Sequence, residues 1–111
     1  MPKGVNLATA GYTRAYLATL AAGLAWLSEF LPRCNLELNR RMSVSRVDGI
    51  LSEVVQRAWE SGVQLYIVVH AVLGVQKRMR ISGALLRNTW KRVEGWRMLI
   101  WPEGMIENEQ E

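Results

Sequence analysis

Residues 64–79 read QLYIVVHAVLGVQKRM, and the fold class turns on them. Tyr66-Ile67-Val68-Val69 is a run of β-branched and aromatic residues, so a strand is a fair local reading. The apolar run extends to Val75, which is long for a strand, and no neighbouring segment offers a hairpin partner. The stretch therefore reads as a buried central helix, apolar around most of its circumference and ending in the basic cluster Lys77-Arg78-Met79-Arg80.

The flanking segments repeat a helical period. Upstream, Tyr16, Leu20, Leu24, Leu27 and Leu31 recur at steps of four, four, three and four, which stacks them on one face of a helix over about 13–31. Thr13 is suited to the N-cap, and Pro32 is expected to stop the helix. A polar connection over 33–43 follows. A second helix starts near Ser45, with Asp48 three positions on in the form of a capping box. Its apolar stripe is Val47, Ile50, Leu51, Val54, Ala58 and Trp59, and Ser61-Gly62 ends it. Beyond a turn at Ser82-Gly83, a fourth helix is expected over about 84–100, its stripe formed by Leu86, Trp90, Val93, Trp96 and Ile100. The expectation is an all-α, compact four-helix bundle with short loops, flanked by a leader over 1–11 and an acidic tail or truncated linker over 102–111.

With 111 residues, half of them hydrophobic and 22% charged, the composition is that of one small globular domain. The single cysteine, Cys34, excludes an internal disulfide, and no Cys/His cluster has metal-ligand spacing. The apolar stretch from Ala15 to Leu27 holds 13 residues, short of the ~20 of a membrane span. No signal-peptide pattern precedes it, so an intracellular protein is expected.

Charge is unevenly placed. All 14 Lys and Arg precede residue 98, and four of the ten acidic residues lie in the last nine positions. Between Lys77 and Arg97, seven basic residues face one acid, Glu94. Such a surface suits a polyanion, because cations that neutralise phosphates release condensed counterions. A solvated basic face that keeps a small protein soluble fits the same charges.

Catalytic chemistry is thin. The lone histidine, His70, sits mid-way along the most apolar segment and reads as a core or half-buried residue. Cys34 reads as a bystander in a loop. No GxGxxG, Walker, HExxH or GxSxG pattern occurs. Trp26, Trp59, Trp90 and Trp96 read as core aromatics, and Trp101 as the aromatic suited to exposure or to packing against a neighbouring domain.

The landmarks in order resemble a known arrangement. Thr13-x-x-Tyr16 followed by Leu24-x-Trp26-x-x-x-Phe30 is similar to the opening helix of the N-terminal core-binding domain of tyrosine recombinases and phage-type integrases. Val47-Asp48-x-x-Leu51 through Arg57-Ala58-Trp59-Glu60-Ser61-Gly62 resembles its second helix and the following turn. His70-Ala71-x-Leu73-Gly74-x-Gln76 resembles the third. Leu85-Leu86-x-x-x-Trp90-Lys91-x-Val93-x-Gly95-Trp96 resembles the closing helix, nearest to the versions in DIRS-type retrotransposons and other mobile elements. Where that family's closing connection often carries a Pro near the end of the third helix, this chain has Met79-Arg80-Ile81.

The resemblance covers about residues 12–101. It implies a SAM-like four-helix bundle that forms one side of a clamp on duplex DNA and takes no cofactor. The family's catalytic arginines, histidine or lysine, and tyrosine belong to a second domain, so Tyr12, Tyr16 and Tyr66 are not assigned as nucleophiles. The implied partners are duplex DNA and, beside it, a catalytic domain or other recombinase subunits, with no membrane. The implied location is the nucleus in a eukaryotic cell. On this reading phosphates are held by Lys77, Arg78 and Arg80, by Arg87, Lys91 and Arg92, and by a second patch of Arg40, Arg41 and Arg46 at a helix N-terminus. Asn88 is the candidate for a base edge. The alternative is a helical protein–protein interaction module whose basic face has no nucleic-acid role. A third reading is a fragment of a larger enzyme with no binding role of its own.

Overall fold

The structure is a computed structural model, and it describes residues 13–100. The expectations for the leader, for Tyr12, for Trp101 and for the acidic residues after it lie outside those residues. Four α-helices run over Arg14–Arg33 (α1), Val44–Glu60 (α2), Leu65–Met79 (α3) and Arg87–Ile100 (α4), and no strand occurs among the described residues. The Tyr66 region is helical. Its buried positions Val68, Ala71, Val72 and Val75 follow the three-four spacing of a helix face, and that packing outweighs local β-propensity.

The helices pack as two pairs, α1 along α3 and α2 along α4, with α3 also touching α2 and α4. The core draws Leu27 and Phe30 from α1, Val47, Leu51, Val54 and Val55 from α2, Val68, Val72 and Val75 from α3, and Leu86, Val93 and Trp96 from the last segment. Two glycines set the α1–α3 crossing. A Cβ at Gly23 would stand 2.6 Å from the Ala71 backbone nitrogen and 2.7 Å from the His70 carbonyl carbon. One at Gly74 would stand 2.7 Å from Leu24 Cγ and 3.2 Å from the Leu20 carbonyl oxygen. The two backbones meet where neither side chain intervenes.

Several boundaries differ from the sequence reading. Pro32 does not stop α1 but lies inside its last turn, and the helix ends at Arg33. The amide missing at Pro32 would have served the carbonyl of Ser28, an exposed residue within reach of water, so the loss is small there. The helix α2 begins earlier than the Ser45 box implies. Ser43 is its N-cap, and its hydroxyl accepts the Arg46 N–H at 3.2 Å. The fourth helix starts at Arg87, because Gly83–Leu85 forms a separate 3₁₀ turn capped by Ser82. Trp59 and Ile100, expected on apolar stripes, are 47% and 49% exposed.

As built, α1 has 20 residues and is long and apolar enough to cross a membrane by length and composition. The helix extends beyond the 13-residue apolar stretch Ala15 to Leu27 at both ends. In this fold Leu20, Gly23, Leu27 and Phe30 are buried, while Ala15, Ala18, Ala21, Ala22 and Ala25 face outward.

Candidate nucleic-acid interface

The site grows from how three helices begin and end. Each of α1, α2 and α3 closes with a bond from the residue after a left-handed position back to a carbonyl five residues earlier. These are Leu36 N–H to Leu31 O at 2.9 Å, Val63 to Ala58 at 3.0 Å and Ile81 to Gln76 at 2.9 Å. This is the Schellman arrangement, whose left-handed residue is most often Gly and sometimes Asn. The three positions are Asn35 (φ 56°), Gly62 (φ 76°) and Arg80 (φ 57°). Asn and Gly suit that geometry. Arg does not, since its Cβ crowds the following carbonyl at a cost of roughly 1–2 kcal/mol. The third helix thus ends on a cation held in a conformation that glycine would adopt more easily.

That cation has company. Arg40, Arg78 and Arg80 line one hollow together with Met42, Val44, Val47 and Ile81. Arg87, Asn88 and Lys91 line a neighbouring hollow with Val44, Ser45, Asp48 and Leu85. Val44 belongs to both, so the two groups flank the N-terminus of α2. Arg46 lies in the first turn of α2, exposed beside Ser43 and Ser45. Arg41 precedes the helix in an exposed turn, where its N–H donates to Asn39 Oδ1 at 2.9 Å. The macrodipole of α2 adds positive potential at the same point. Among the residues lining the two hollows the only carboxylate is Asp48, and it faces inward.

Asp48 fixes the second hollow. Its carboxylate caps α4 across the fold. Oδ2 accepts the Asn88 N–H at 3.1 Å and the Asn88 side-chain amide at 3.0 Å, and Oδ1 accepts the Thr89 N–H at 2.9 Å. The Thr89 hydroxyl lies 2.7 Å from Oδ1 and 3.0 Å from the Asp48 carbonyl oxygen, and its one proton serves that pair. Burial opposes ionisation of Asp48, but the bonds from Thr89 and then Asn88 outweigh it and hold the carboxyl below its usual range. The residue assigned from sequence to starting α2 instead starts α4, whose own N-cap position, Leu86, has no side-chain acceptor.

The ten sequence-selected residues are all exposed. Arg40, Arg78, Arg80, Arg87 and Lys91 gather around the α2 N-terminus, with Arg41 and Arg46 at its margin. Arg92 does not join them. It turns to the other side of α4, where Nη1 donates to the Ser52 carbonyl at 3.1 Å and sits 3.7 Å from Glu53 Oε2. Asn88, read as a base-edge candidate, has its amide on Asp48. Lys77 lines neither hollow. The sequence reading missed Asp48 and Thr89 as the pair that positions Arg87 and Lys91. No local signal marks the pair, because Asp48 and Thr89 are 41 residues apart in the chain.

The remaining chemistry-bearing residues stand elsewhere. His70 is half-buried, with Nδ1 2.8 Å from the Tyr66 carbonyl oxygen and the rings of Tyr16 and Tyr66 at 6.3 and 4.3 Å. Cys34 is the C-cap of α1. Trp26 stacks on Phe30 at 4.8 Å, and the Trp90 indole N–H donates to Gln76 Oε1 at 2.7 Å. Among the described residues no group of three or more His, Cys, Asp or Glu could hold a metal ion. Compared with protein-family models, with curated proteins and with solved structures, the chain matches none.

Proposed function

We propose that this chain is a duplex-DNA-binding domain that seats the sugar–phosphate backbone on the basic surface around the α2 N-terminus. We further propose that it is the non-catalytic, SAM-like core-binding part of a tyrosine-recombinase-like mobile-element protein. The carrying observation is the convergence of Arg40, Arg78, Arg80, Arg87 and Lys91, drawn from three separate stretches of sequence, onto one helix N-terminus with no outward carboxylate among them. Arg80 in a left-handed position supports it, because a cation there is kept at a cost in stability. These groups contact phosphates and carry no sequence information, so binding is expected to be insensitive to base sequence.

The test is a salt titration with random duplex. Replacing Arg78, Arg80, Arg87 and Lys91 with Gln lowers affinity for unrelated duplexes alike. It also flattens the log–log salt slope by about 0.9 for each phosphate no longer neutralised. The Arg57→Gln/Arg97→Gln variant removes two exposed cations outside both hollows and leaves the slope nearly unchanged. A four-site variant with unaltered slope and affinity rejects the proposal and favours the protein-interaction reading. The recombinase assignment has its own test. A reading frame continuing past residue 111 into an Arg…His-x-x-Arg…Tyr pattern supports it, and a different continuation removes it.

A further inference from the structure

Between the C-terminal halves of α1 and α3, beside the connection that leads to α2, lies a slot of about 280 Å³. Its floor is Leu27 and Val75, both buried, and its walls are Leu24, Leu31, Leu38 and Met79, all half-buried. None of these six side chains carries a strong hydrogen-bonding group. The rim is polar and exposed, formed by Ser28, Asn39, Arg40 and Arg78. The Ser28 hydroxyl donates to the Ala25 carbonyl at 2.8 Å, and Asn39 Oδ1 accepts the Arg41 N–H at 2.9 Å. Arg40 and Arg78 have no ion pair among the described residues, and no carboxylate lines the slot. The same two arginines and Met79 also border the hollow that holds Arg80, so slot and hollow adjoin.

Size and chemistry together select an occupant. At roughly 30 Å³ for a water-sized group, the slot has room for about nine methylenes in a single chain. Water there meets walls that offer it no hydrogen bonds, and an alkyl chain displaces that water favourably. Two guanidinium groups at the rim match a carboxylate through charge-assisted hydrogen bonds. A phosphodiester satisfies the rim but brings no apolar body to the slot. A neutral alkyl chain fills the slot but leaves both cations without a counter-charge. A single-chain carboxylate does both.

We propose that this slot binds a medium-chain fatty acid, with the alkyl chain among Leu24, Leu31, Leu38 and Met79 and the carboxylate on Arg40 and Arg78. Bound there, the acid competes with DNA phosphate for the same two arginines. The competition rests on the DNA-binding reading above, whereas the fatty-acid site stands without it. The experiment is calorimetric titration of the full chain at pH 7 with hexanoate, octanoate, decanoate and 1-octanol, below micelle-forming concentrations. Saturable one-to-one binding is expected, tightening by up to about fourfold per added methylene. Octanoate is expected to bind about tenfold tighter than 1-octanol, and Arg40→Gln/Arg78→Gln to erase that difference. Ser28→Phe places a ring at the rim from an exposed helix position. It is expected to weaken decanoate about tenfold and to leave duplex affinity unchanged. Decanoate is expected to raise the apparent duplex Kd of the parent and not that of Ser28→Phe. No saturable decanoate binding, equal binding of octanoate and 1-octanol, or binding that Ser28→Phe leaves intact overturns the fatty-acid site. Decanoate that binds without moving the duplex Kd overturns the competition. Decanoate bound by a parent that takes up no duplex rejects the DNA reading and retains the site.

Discussion

Replacing Asp48 with Ala removes the carboxylate that starts α4 and strands the donors it receives. Two of those, the Thr89 N–H and hydroxyl, belong to a residue with 0% exposure, while Asn88 is exposed and can turn to water. Losing a helix cap costs about 1 kcal/mol, up to about 2. Leaving a buried donor unpaired costs about 1–3 kcal/mol. The bonds share two oxygens and do not add independently, so a total of about 3–4 kcal/mol is expected, with Thr89 the larger share. For a domain of this size that is a fall in Tm of about 15–20 °C, measured by circular dichroism at 222 nm and by urea titration. The Asp48→Asn variant keeps one acceptor and loses roughly half as much. pH gives an independent check. The folded carboxyl titrates below its unfolded value of ~3.9, so its contribution is fully present above that value and is lost as pH falls through the folded one. The gap between parent and Asp48→Asn should therefore narrow in acid. An Asp48→Ala protein within about 1 kcal/mol of the parent at pH 7 refutes cross-fold capping.

Gly23→Ala drives a methyl into the α3 backbone at 2.6 Å and should cost about 2–3 kcal/mol by urea titration. Gly49→Ala on the open face of α2, with nothing within 4 Å, should add about 0.5–1 kcal/mol. Arg80→Gly should raise stability by about 1 kcal/mol while weakening duplex binding at low salt, a split that a purely structural arginine does not produce. Trp90→Phe removes the indole bond to Gln76 and should cost about 1–2 kcal/mol, most of it recovered if Gln76→Leu is added.

The helical stripes of α1 and α2 are legible in the sequence because one face of each is buried, and apolar spacing reports burial directly. The third helix is legible only by its length and by Val68, Ala71, Val72 and Val75, since its residue types argue for a strand. The start of α4 is not legible locally. Its cap comes from Asp48, 41 residues before Thr89, and no window around Leu86 contains it. The same limit applies to the basic surface. A charge count marks 77–97 as a block, but a helix scatters such a block around its axis. Arg92 and Lys91 are neighbours in sequence, yet Arg92 pairs with Ser52 and Glu53 while Lys91 lines the hollow with Arg87. Arg40, far from Arg78 in sequence, joins it only because the chain before α2 lies against the end of α3.

The α1–α3 crossing has a mechanical consequence. The first helix rests on α3 and scarcely on α2 or α4, so a load drawn through the N-terminal end meets one helix–helix seam with glycines at its centre. Under tension α1 should peel away as a handle, in a step smaller than full extension, while the three helices that frame both arginine-lined hollows stay together.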